Sequence, residues 1–174
     1  MKGSAMPDLR DLFIDETIRR FDEEYLPRLE EAVGTVPEDK LWWRPHRSIT
    51  SVGNLLIHLE GNTRQWFLGA LGGGSMERAR GAEFAASEGG SATELCRELR
   101  DTVEAAYPIL RSLDEPALAR SYTIQGFEVT GLAAVYHVLE HFGWHTGQIV
   151  WIAKATAGSE HGLAFYDDAA LEGL

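Results

Sequence analysis

Three histidines recur at four-residue intervals in one stretch of the chain, and this spacing is typical of metal-binding helices. They are His137, His141 and His145. At about 100° per residue, His141 lies near 40° and His145 near 80° from His137, on the same arc as several apolar residues. Two neutral imidazoles one turn apart can bind one metal ion, as His-x-x-x-His pairs do in zinc helices. Buried histidines that hydrogen-bond to carbonyls or carboxylates give the same pattern, so a third ligand is needed to favour a metal site.

His58, in the predicted second helix, is the candidate for the third ligand. On the helical wheel it lies beside the apolar stripe, about 60° from Leu55 and about 80° from Trp66. It therefore faces the core of a helical bundle, where it can meet the histidines of the last helix. Asn62 and Gln148 each lie beside a candidate ligand on the wheel. They can orient an imidazole or contact a substrate, or they can be polar groups at a pocket mouth.

Four predicted amphipathic helices position these histidines. Hydrophobic spacing and capping residues give them the approximate bounds Asp8 to Val33, Ser48 or Thr50 to the glycine at Gly72, Ser91 to Leu113, and Thr130 to Ala157. Pro27 and Pro108 are expected to bend the first and third helices. The chain is therefore predicted to be an all-α bundle, in which sites are built from inward side chains on facing helices.

Two connections between these helices have distinct compositions. The segment from Gly72 to Gly90 is rich in small and charged residues, which favours a long, mobile connection without regular structure that borders a pocket. Residues 122–129 alternate in polarity, which predicts a short extended pair around Gly126.

Composition and charge limit the class of protein. The chain has 174 residues, 44% of them hydrophobic, which is enough for one domain to bury a core without disulfides. Its formal charge of −11 argues against nucleic acid and anionic membrane surfaces, and leaves small molecules and proteins as partners. The single cysteine, with no recognisable signal peptide or spanning segment, favours the cytoplasm. We expect one domain over residues 7–174, with residues 1–6 a vector-derived remnant ahead of a natural start at Met6.

The other reactive side chains are weaker candidates for the site: Asp22, Glu23, Glu24, His46, His137, His161 and Cys96. The acidic residues are expected to be the solvated face of the first helix. His46 is expected on the surface. His161 lies in a C-terminal segment with little hydrophobic periodicity. The cysteine has no Cys-x-x-Cys partner or neighbouring base and is expected to pack. His137 lies at the margin of the arc, so it is expected to support a ligand or to pack rather than to bind the ion.

Two segments resemble the DinB-like superfamily, also called the DinB/YfiT-like metalloenzymes. They are Ser51-Val52-Gly53-Asn54-Leu55-Leu56-Ile57-His58-Leu59 and His141-Phe142-Gly143-Trp144-His145-Thr146-Gly147-Gln148-Ile149. The similarity covers most of the bundle, and its most specific parts are the lone histidine of the second helix and the His-x-x-x-His-x-Gly-Gln run. The resemblance implies a four-helix bundle of up-down-down-up order, with His58, His141 and His145 as metal ligands completed by water. The superfamily often has Arg where this chain has Thr146, so the resemblance does not support an anion-binding role there.

The resemblance also implies a type of reaction. Members of known activity use low-molecular-weight thiols such as mycothiol or bacillithiol in transfer or isomerisation, and many members have no known activity. Three imidazoles leave coordination positions open, which is typical of a catalytic site. The nucleophile would then be metal-bound water or a thiolate. Zinc or nickel is the expected divalent ion, although neutral nitrogen ligands also accept iron and copper.

These observations predict a metal-dependent thiol transferase or hydrolase that acts on a small molecule. The alternative is a protein without catalytic activity: a metal-binding or structural dimer, whose histidines fill a polar core and which serves a stress response through a partner.

A second apolar face on the fourth helix predicts self-association. It consists of residues at about 240–340° on the same wheel, opposite the core arc: Tyr136, Gly143, Trp144, Gly147 and Trp151. Either the Trp42–Trp43 connector and the Phe165–Tyr166 tail cover this face, or a two-fold dimer does. Proteins of the superfamily often pair through helices, which favours a homodimer whose two-fold interface includes the aromatic residues of this face. Gly143 and Gly147 would allow close backbone approach to whatever packs there.

Overall fold

The computed structural model describes Met6, residues 8–159 and residues 161–165. The helical elements are α1 (Leu9–Arg19), a π-helical segment (Arg20–Tyr25), α2 (Leu26–Gly34), a 3-10 turn (Glu38–Lys40), α3 (Val52–Thr63), a second π-helical segment (Arg64–Leu71), α4 (Arg80–Ala85), α5 (Ala92–Ser112), α6 (Glu115–Ala119) and α7 (Gly131–Ala157). Strands β1 (Ser121–Ile124) and β2 (Phe127–Thr130) pair as an antiparallel hairpin. Four long helical runs form the bundle, which confirms the predicted all-α fold. None of the described helices has the length and apolar character to cross a membrane.

The first long helix begins at Asp8 and passes through a π-helical segment just before Pro27. The Asp8 carboxylate accepts a hydrogen bond from a backbone N–H of the first turn, as an N-cap does. A proline has no N–H and its ring crowds the carbonyl four residues earlier, which here belongs to Glu23. In the π-helical segment the Leu26 N–H donates to the Phe21 carbonyl instead. This wider turn accommodates the ring, so the disturbance predicted at Pro27 takes the form of a π-helix.

The second long helix begins at Ser51, later than the predicted caps at Ser48 or Thr50. The Ser51 hydroxyl accepts from the Asn54 backbone N–H at 3.2 Å, and the Asn54 side-chain oxygen accepts from the Ser51 N–H at 3.1 Å. These reciprocal bonds form a capping box. Ser48 lies instead in a local turn with His46, whose Nδ1 is 3.3 Å from the Ser48 backbone nitrogen. The predicted start is therefore corrected to Ser51.

The predicted absence of regular structure between Gly72 and Gly90 is wrong for α4. The Asn54 side-chain amide donates to the carbonyls of Glu83 and Ala86, both at 2.8 Å. Arg44 also donates to the Ala86 carbonyl. These tertiary hydrogen bonds fix a short helix that local composition does not predict. They also hold it against α3, the helix that carries His58.

The predicted extended pair and the starts of the last two long helices are confirmed. Gln125 and Gly126 join the two strands with φ values of 54° and 83°, as in a tight hairpin turn. The helix α5 begins at the predicted capping box of Ser91 and Glu94. Thr130 caps α7 through its hydroxyl. The short α6 was not predicted.

An aromatic cluster at the centre of the core joins three of the four long helices. The rings of Phe21 and Phe142 lie edge to face with centroids 5.0 Å apart, and Phe67 packs on Phe21 at 6.2 Å. All three side chains are fully buried. Edge-to-face contacts add to the stabilisation from burial. Because Phe142 follows His141 on α7, this cluster fixes the helix that carries two of the candidate ligands.

Candidate metal centre

Helices α3 and α7 bring three of the candidate histidines together. The His58 ring from α3 has its centroid 4.9 Å from that of His141 and 5.1 Å from that of His145, both on α7. The two α7 rings lie 4.4 Å apart. His58 is only 3% exposed, and the other two are half-buried. The three residues predicted as metal ligands therefore form one cluster; their role as ligands stays a prediction.

The Nε2 atoms of the three rings converge. His141 Nε2 lies 3.1 Å from His58 Nε2 and 3.0 Å from His145 Nε2. Across the cluster, each residue offers a ligand atom within 4.8 Å of the others. Nitrogens at about 2.0–2.1 Å from a tetrahedral ion are about 3.3 Å from one another. The observed separations are close to those of a three-nitrogen metal site.

Two of the rings have acceptor oxygens on their outward nitrogens. His58 Nδ1 lies 2.8 Å from the Glu83 carboxylate, and His145 Nδ1 lies 2.6 Å from the Gln148 side-chain oxygen. An oxygen at this distance accepts a hydrogen bond from Nδ1–H. In a neutral imidazole with its hydrogen on Nδ1, the lone pair lies on Nε2. Both lone pairs are therefore directed into the cluster. Gln148 therefore lies where it can orient the His145 imidazole, one of the two roles considered for it from the helical wheel.

The donor set fits a divalent transition metal. It consists of neutral nitrogens, which suit zinc, nickel, iron or copper, whereas magnesium and calcium require oxygen ligands. The Nδ1 of His141 is buried and has no hydrogen-bond partner among the residues that the structure describes. Its Nε2 lies between the other two Nε2 atoms, so in the metal-free protein this ring can carry its hydrogen on Nε2 and donate it to one of their lone pairs. An ion bound by all three Nε2 atoms would displace this hydrogen, which the free Nδ1 of His141 could then carry.

Burial keeps the α7 imidazoles neutral. Burial, and to a smaller extent the neighbouring His145 and His58, lower the pKa of His141 to about 3. Burial also lowers the pKa of His145, against the opposing effect of its hydrogen bond to Gln148. At neutral pH these two rings have no extra proton to release before they bind an ion.

A buried ion pair that the sequence reasoning missed lies behind His58. Arg78 Nε lies 2.6 Å from a Glu83 oxygen, and the two side chains are 5% and 8% exposed. Burial alone would raise the pKa of Glu83, but hydrogen bonds from His58 and Arg78 outweigh it and lower the pKa to about 2. One signal was present in the sequence: Gly61, an isolated glycine inside a helix, can mark a close approach of another segment.

The other polar candidates near the cluster have different environments. The His137 ring stacks on the Trp66 ring with centroids 4.0 Å apart, and its centroid lies 5.5 Å from that of the His141 ring. These contacts agree with the expectation that His137 packs beside a candidate ligand. Asn62 is 3% exposed, and its side-chain oxygen has no hydrogen-bond partner within the described residues. Asn62 is therefore not at a pocket mouth. Glu83, and not Asn62, contacts the outward nitrogen of His58.

A cavity of about 250 Å³ opens beside the histidines of α7. The residues that line it are His137, Glu140, His141, Trp144 and His145. Trp144 is 68% exposed, and the Glu140 side chain is also exposed, so an indole and a carboxylate form the solvent side of the wall. Thr146 is 6% exposed and does not line this cavity. A small molecule can thus approach the cluster from the α7 side.

Comparison with known proteins places the chain in a family. A family model described as a protein of unknown function, DUF1572, matches residues 8–163. The chain belongs to the DUF1572 family. A crystal structure of a DinB-like protein from Bacillus subtilis, YjoA, is similar to this DUF1572 chain with a TM-score of 0.63 and 21% identity, over 87% of this chain and 97% of that one. This similarity confirms the predicted DinB-like fold. No protein in the comparison with curated proteins matches the chain.

The weaker candidates of the DUF1572 chain lie outside the histidine cluster. Asp22 accepts a hydrogen bond from a tyrosine of α5, and Glu24 pairs with arginines of its own helix. His46 is exposed, as predicted. His161 accepts a hydrogen bond from a backbone N–H two residues later. Cys96 is half-buried, and burial raises the pKa of its thiol to about 12, which agrees with a packing role.

The second apolar face predicted on α7 is exposed in the DUF1572 chain. Its large side chains are Tyr136, 58% exposed, Trp144, 68%, and Trp151, 64%. The Trp42–Trp43 connector and Phe165 pack against the core, and Tyr166 lies outside the described residues.

Gly143 does not belong to this exposed face. A Cβ there would lie 3.2 Å from the Tyr25 hydroxyl, so the close approach at Gly143 is made by the first long helix of the same chain. At Gly147 a Cβ would meet no atom within 4 Å. Gly143 therefore allows a close approach, which Tyr25 of the same chain makes, whereas Gly147 lies on the open side. The homodimer stays a prediction.

Proposed function

We propose that this protein is a metal-dependent enzyme whose divalent ion, zinc or nickel, is bound by His58, His141 and His145. The observation that carries the proposal is the convergence of three Nε2 atoms, with 3.0 and 3.1 Å between neighbours. Glu83 and Gln148 support it, because their oxygens direct two of the lone pairs to the same point. Structural zinc sites are closed by four protein ligands, whereas three leave a position for water or substrate.

The reaction that we propose is thiol transfer or hydrolysis on a small molecule, with a low-molecular-weight thiol as cosubstrate in the first case. A bound divalent ion would supply a Lewis acid that activates water or a thiol. The cavity beside α7 admits the reactants, and the Trp144 indole offers a flat apolar surface there. The Glu140 carboxylate on the same wall favours groups that are neutral or positively charged. Because His58 is buried, reactants reach the cluster from the α7 side.

Turnover assays with matched variants test this function. Zinc-loaded and nickel-loaded protein is assayed with thiols plus an alkylating electrophile, and separately with hydrolysable esters and amides. Rates that require the metal, that His145→Ala abolishes and that His46→Ala retains would support an enzyme. His46 is the control because it is an exposed histidine outside the cluster. If no substrate pair shows a rate above that of His145→Ala, catalysis is contradicted.

A metal-binding homodimer without catalytic activity is the second candidate function, and the exposed aromatic face of α7 favours it. Trp144 and Trp151 border a groove of about 420 Å³ that also includes Ile49 and Thr50. Exposed aromatic side chains on one helix face are typical of a protein interface. We propose that a second copy of this chain covers the face. Because Trp144 also lines the cavity at the histidines, such a partner would narrow the entrance to the cluster.

A further inference from the structure

The Arg78 and Glu83 side chains reach His58 from the connector that precedes α5. Glu83 Oε2 lies 2.8 Å from His58 Nδ1, and Arg78 Nη2 lies 2.7 Å from the same oxygen. Arg78 Nη2 is also 3.0 Å from the His58 carbonyl and 2.9 Å from its Nδ1. The guanidinium, the carboxylate and the imidazole therefore form one buried group behind the cluster.

Counting hydrogens in this group decides which nitrogen of His58 carries its proton. Arg78 Nη2 has two hydrogens and donates one hydrogen bond to each of two oxygens, Glu83 Oε2 and the His58 carbonyl. Arg78 therefore has no hydrogen left for His58 Nδ1. The Nδ1 atom must carry its own hydrogen and donate it to Glu83 Oε2. In a neutral imidazole the lone pair then lies on Nε2, on the side of the two α7 histidines.

Gly61 provides the space that the carboxylate occupies. A Cβ at this position would lie 2.5 Å from Glu83 Oε1 and 3.1 Å from Arg78 Nε. The oxygen is the far end of a flexible side chain, so an alanine at position 61 would displace the carboxylate and leave the helix backbone in place. The interior of a helix is otherwise less favourable for glycine than for alanine. The glycine in α3 thus permits the contact between the connector and His58.

Two further contacts hold the connector where the carboxylate can act. The Asn54 amide donates to the Glu83 carbonyl at 2.8 Å, four residues before His58 on α3. The Phe84 ring lies 4.5 Å from the His58 ring, between centroids. The Glu83 backbone and the neighbouring Phe84 side chain are thereby fixed against α3. The carboxylate is held in place before any ligand arrives.

We propose that Glu83, held by Arg78 in the space above Gly61, is a positioning residue that fixes His58 in the Nδ1–H form and so presents Nε2 to the metal ion. The consequence for metal binding rests on the proposed function, whereas the protonation of His58 does not. A carboxylate behind a metal-binding histidine typically changes metal affinity about 10–100-fold. The short α4 is accordingly part of the site and is more than a connection between helices.

Histidine NMR and zinc titration on three variants test this proposal. Long-range ¹H–¹⁵N spectra of the metal-free protein report the hydrogen position on His58, and competition with a chromogenic chelator gives the zinc affinity. In Glu83→Ala, both carboxylate oxygens are lost, and Arg78 Nη2 has a hydrogen free to donate to His58 Nδ1, 2.9 Å away, so His58 should change to the Nε2–H form. Gly61→Ala keeps every charge and displaces the carboxylate. Gly81→Ala is the control, because a Cβ there meets no atom within 4 Å.

We expect Nδ1–H on His58 in the wild type and in Gly81→Ala, and loss of this form in the other two variants with about 10–100-fold weaker zinc binding. Thermal melts monitor folding, and the Gly61→Ala variant still tests the proposal if Glu83→Ala does not fold. Nε2–H on His58 in the wild type, or Nδ1–H in a folded Gly61→Ala with wild-type zinc affinity, would overturn the proposal. If His58 changes form as expected but the wild type binds no zinc, the positioning of His58 stands and the proposed metal function fails.

Discussion

The side-chain oxygen of Gln148 lies 2.6 Å from Nδ1 of His145, three residues earlier on α7. This oxygen accepts a hydrogen bond from Nδ1–H of His145. The lone pair of Nε2 then points toward the other two histidines. We predict that Gln148→Ala weakens zinc binding about 10-fold. Because Gln148 is exposed, the thermal stability of the metal-free protein should change little. Zinc titration against a competing chelator measures the effect. Gln148→Glu keeps an acceptor oxygen and is the control; equal weakening in both variants would contradict this role.

The metal-free protein should lose stability as the pH falls below about 6.5. The pKa of His141 is about 3 in the folded chain, against 6.5 for an ordinary histidine. Between these values the unfolded chain binds a proton that the folded chain does not, so the free energy of unfolding decreases as the pH falls. Glu83 acts in the same direction between its ordinary pKa of 4.5 and its folded pKa of about 2.

Urea unfolding over a series of pH values tests this dependence. His141→Asn removes the titrating group and should make the dependence of unfolding free energy on pH shallower between about pH 6.5 and pH 4. His46→Asn, at an exposed histidine, should keep the wild-type dependence. If the unfolding free energy depends on pH equally in the wild type and in His141→Asn, the fold does not keep this histidine neutral.

Sedimentation tests the proposed homodimer. The chain has a mass of 19.3 kDa, so we predict a species of twice that mass at low micromolar concentration. The double substitution Trp144→Glu and Trp151→Glu should give the monomer, because two carboxylates would be buried without partners in an apolar interface. Phe127→Glu is the control, since this side chain is 65% exposed on the hairpin. A wild-type mass near 19.3 kDa would contradict the dimer, and a dimeric double variant would show that another face is used.

Phe142, next to His141 on α7, is a core residue whose loss should destabilise the fold. It is fully buried and packs edge to face on Phe21. We predict that Phe142→Ala lowers the free energy of unfolding by about 3–5 kcal/mol through the cavity that it leaves. Phe127→Ala, on the exposed hairpin, should change it by less than about 0.5 kcal/mol. Urea unfolding measures both. A cost for Phe142→Ala as small as that of the control would contradict the described packing of α7.

The histidine cluster could be predicted because its members follow helical periodicity. His141 and His145 lie one turn apart on the apolar arc of α7, and His58 lies beside the apolar stripe of α3, so facing helices bring them together. Glu83 could not be predicted in this way. It belongs to a connector with no hydrophobic period, and its placement depends on hydrogen bonds from Asn54 and on the space at Gly61. Both are tertiary contacts that override local composition.

The neighbours of the two glycines on α7 show the same distinction. The helical wheel places Gly143 and Gly147 on one side of α7, but it cannot show which neighbouring helix reaches each glycine. In the structure the first long helix brings Tyr25 to Gly143 and leaves Gly147 open. Periodicity therefore predicts the direction of a side chain, whereas the identity of its neighbour depends on how the four helices pack.

Metal stoichiometry tests the central claim most directly. Protein purified without a histidine tag is loaded with zinc or nickel, desalted and analysed by mass spectrometry for metal content, alongside His141→Ala and the exposed-histidine control His46→Ala. We predict about one ion per chain in the wild type and in His46→Ala, and less than about a tenth of an ion in His141→Ala. Less than about a tenth of an ion in the reconstituted wild type, or full occupancy in His141→Ala, would contradict a metal site at the three histidines.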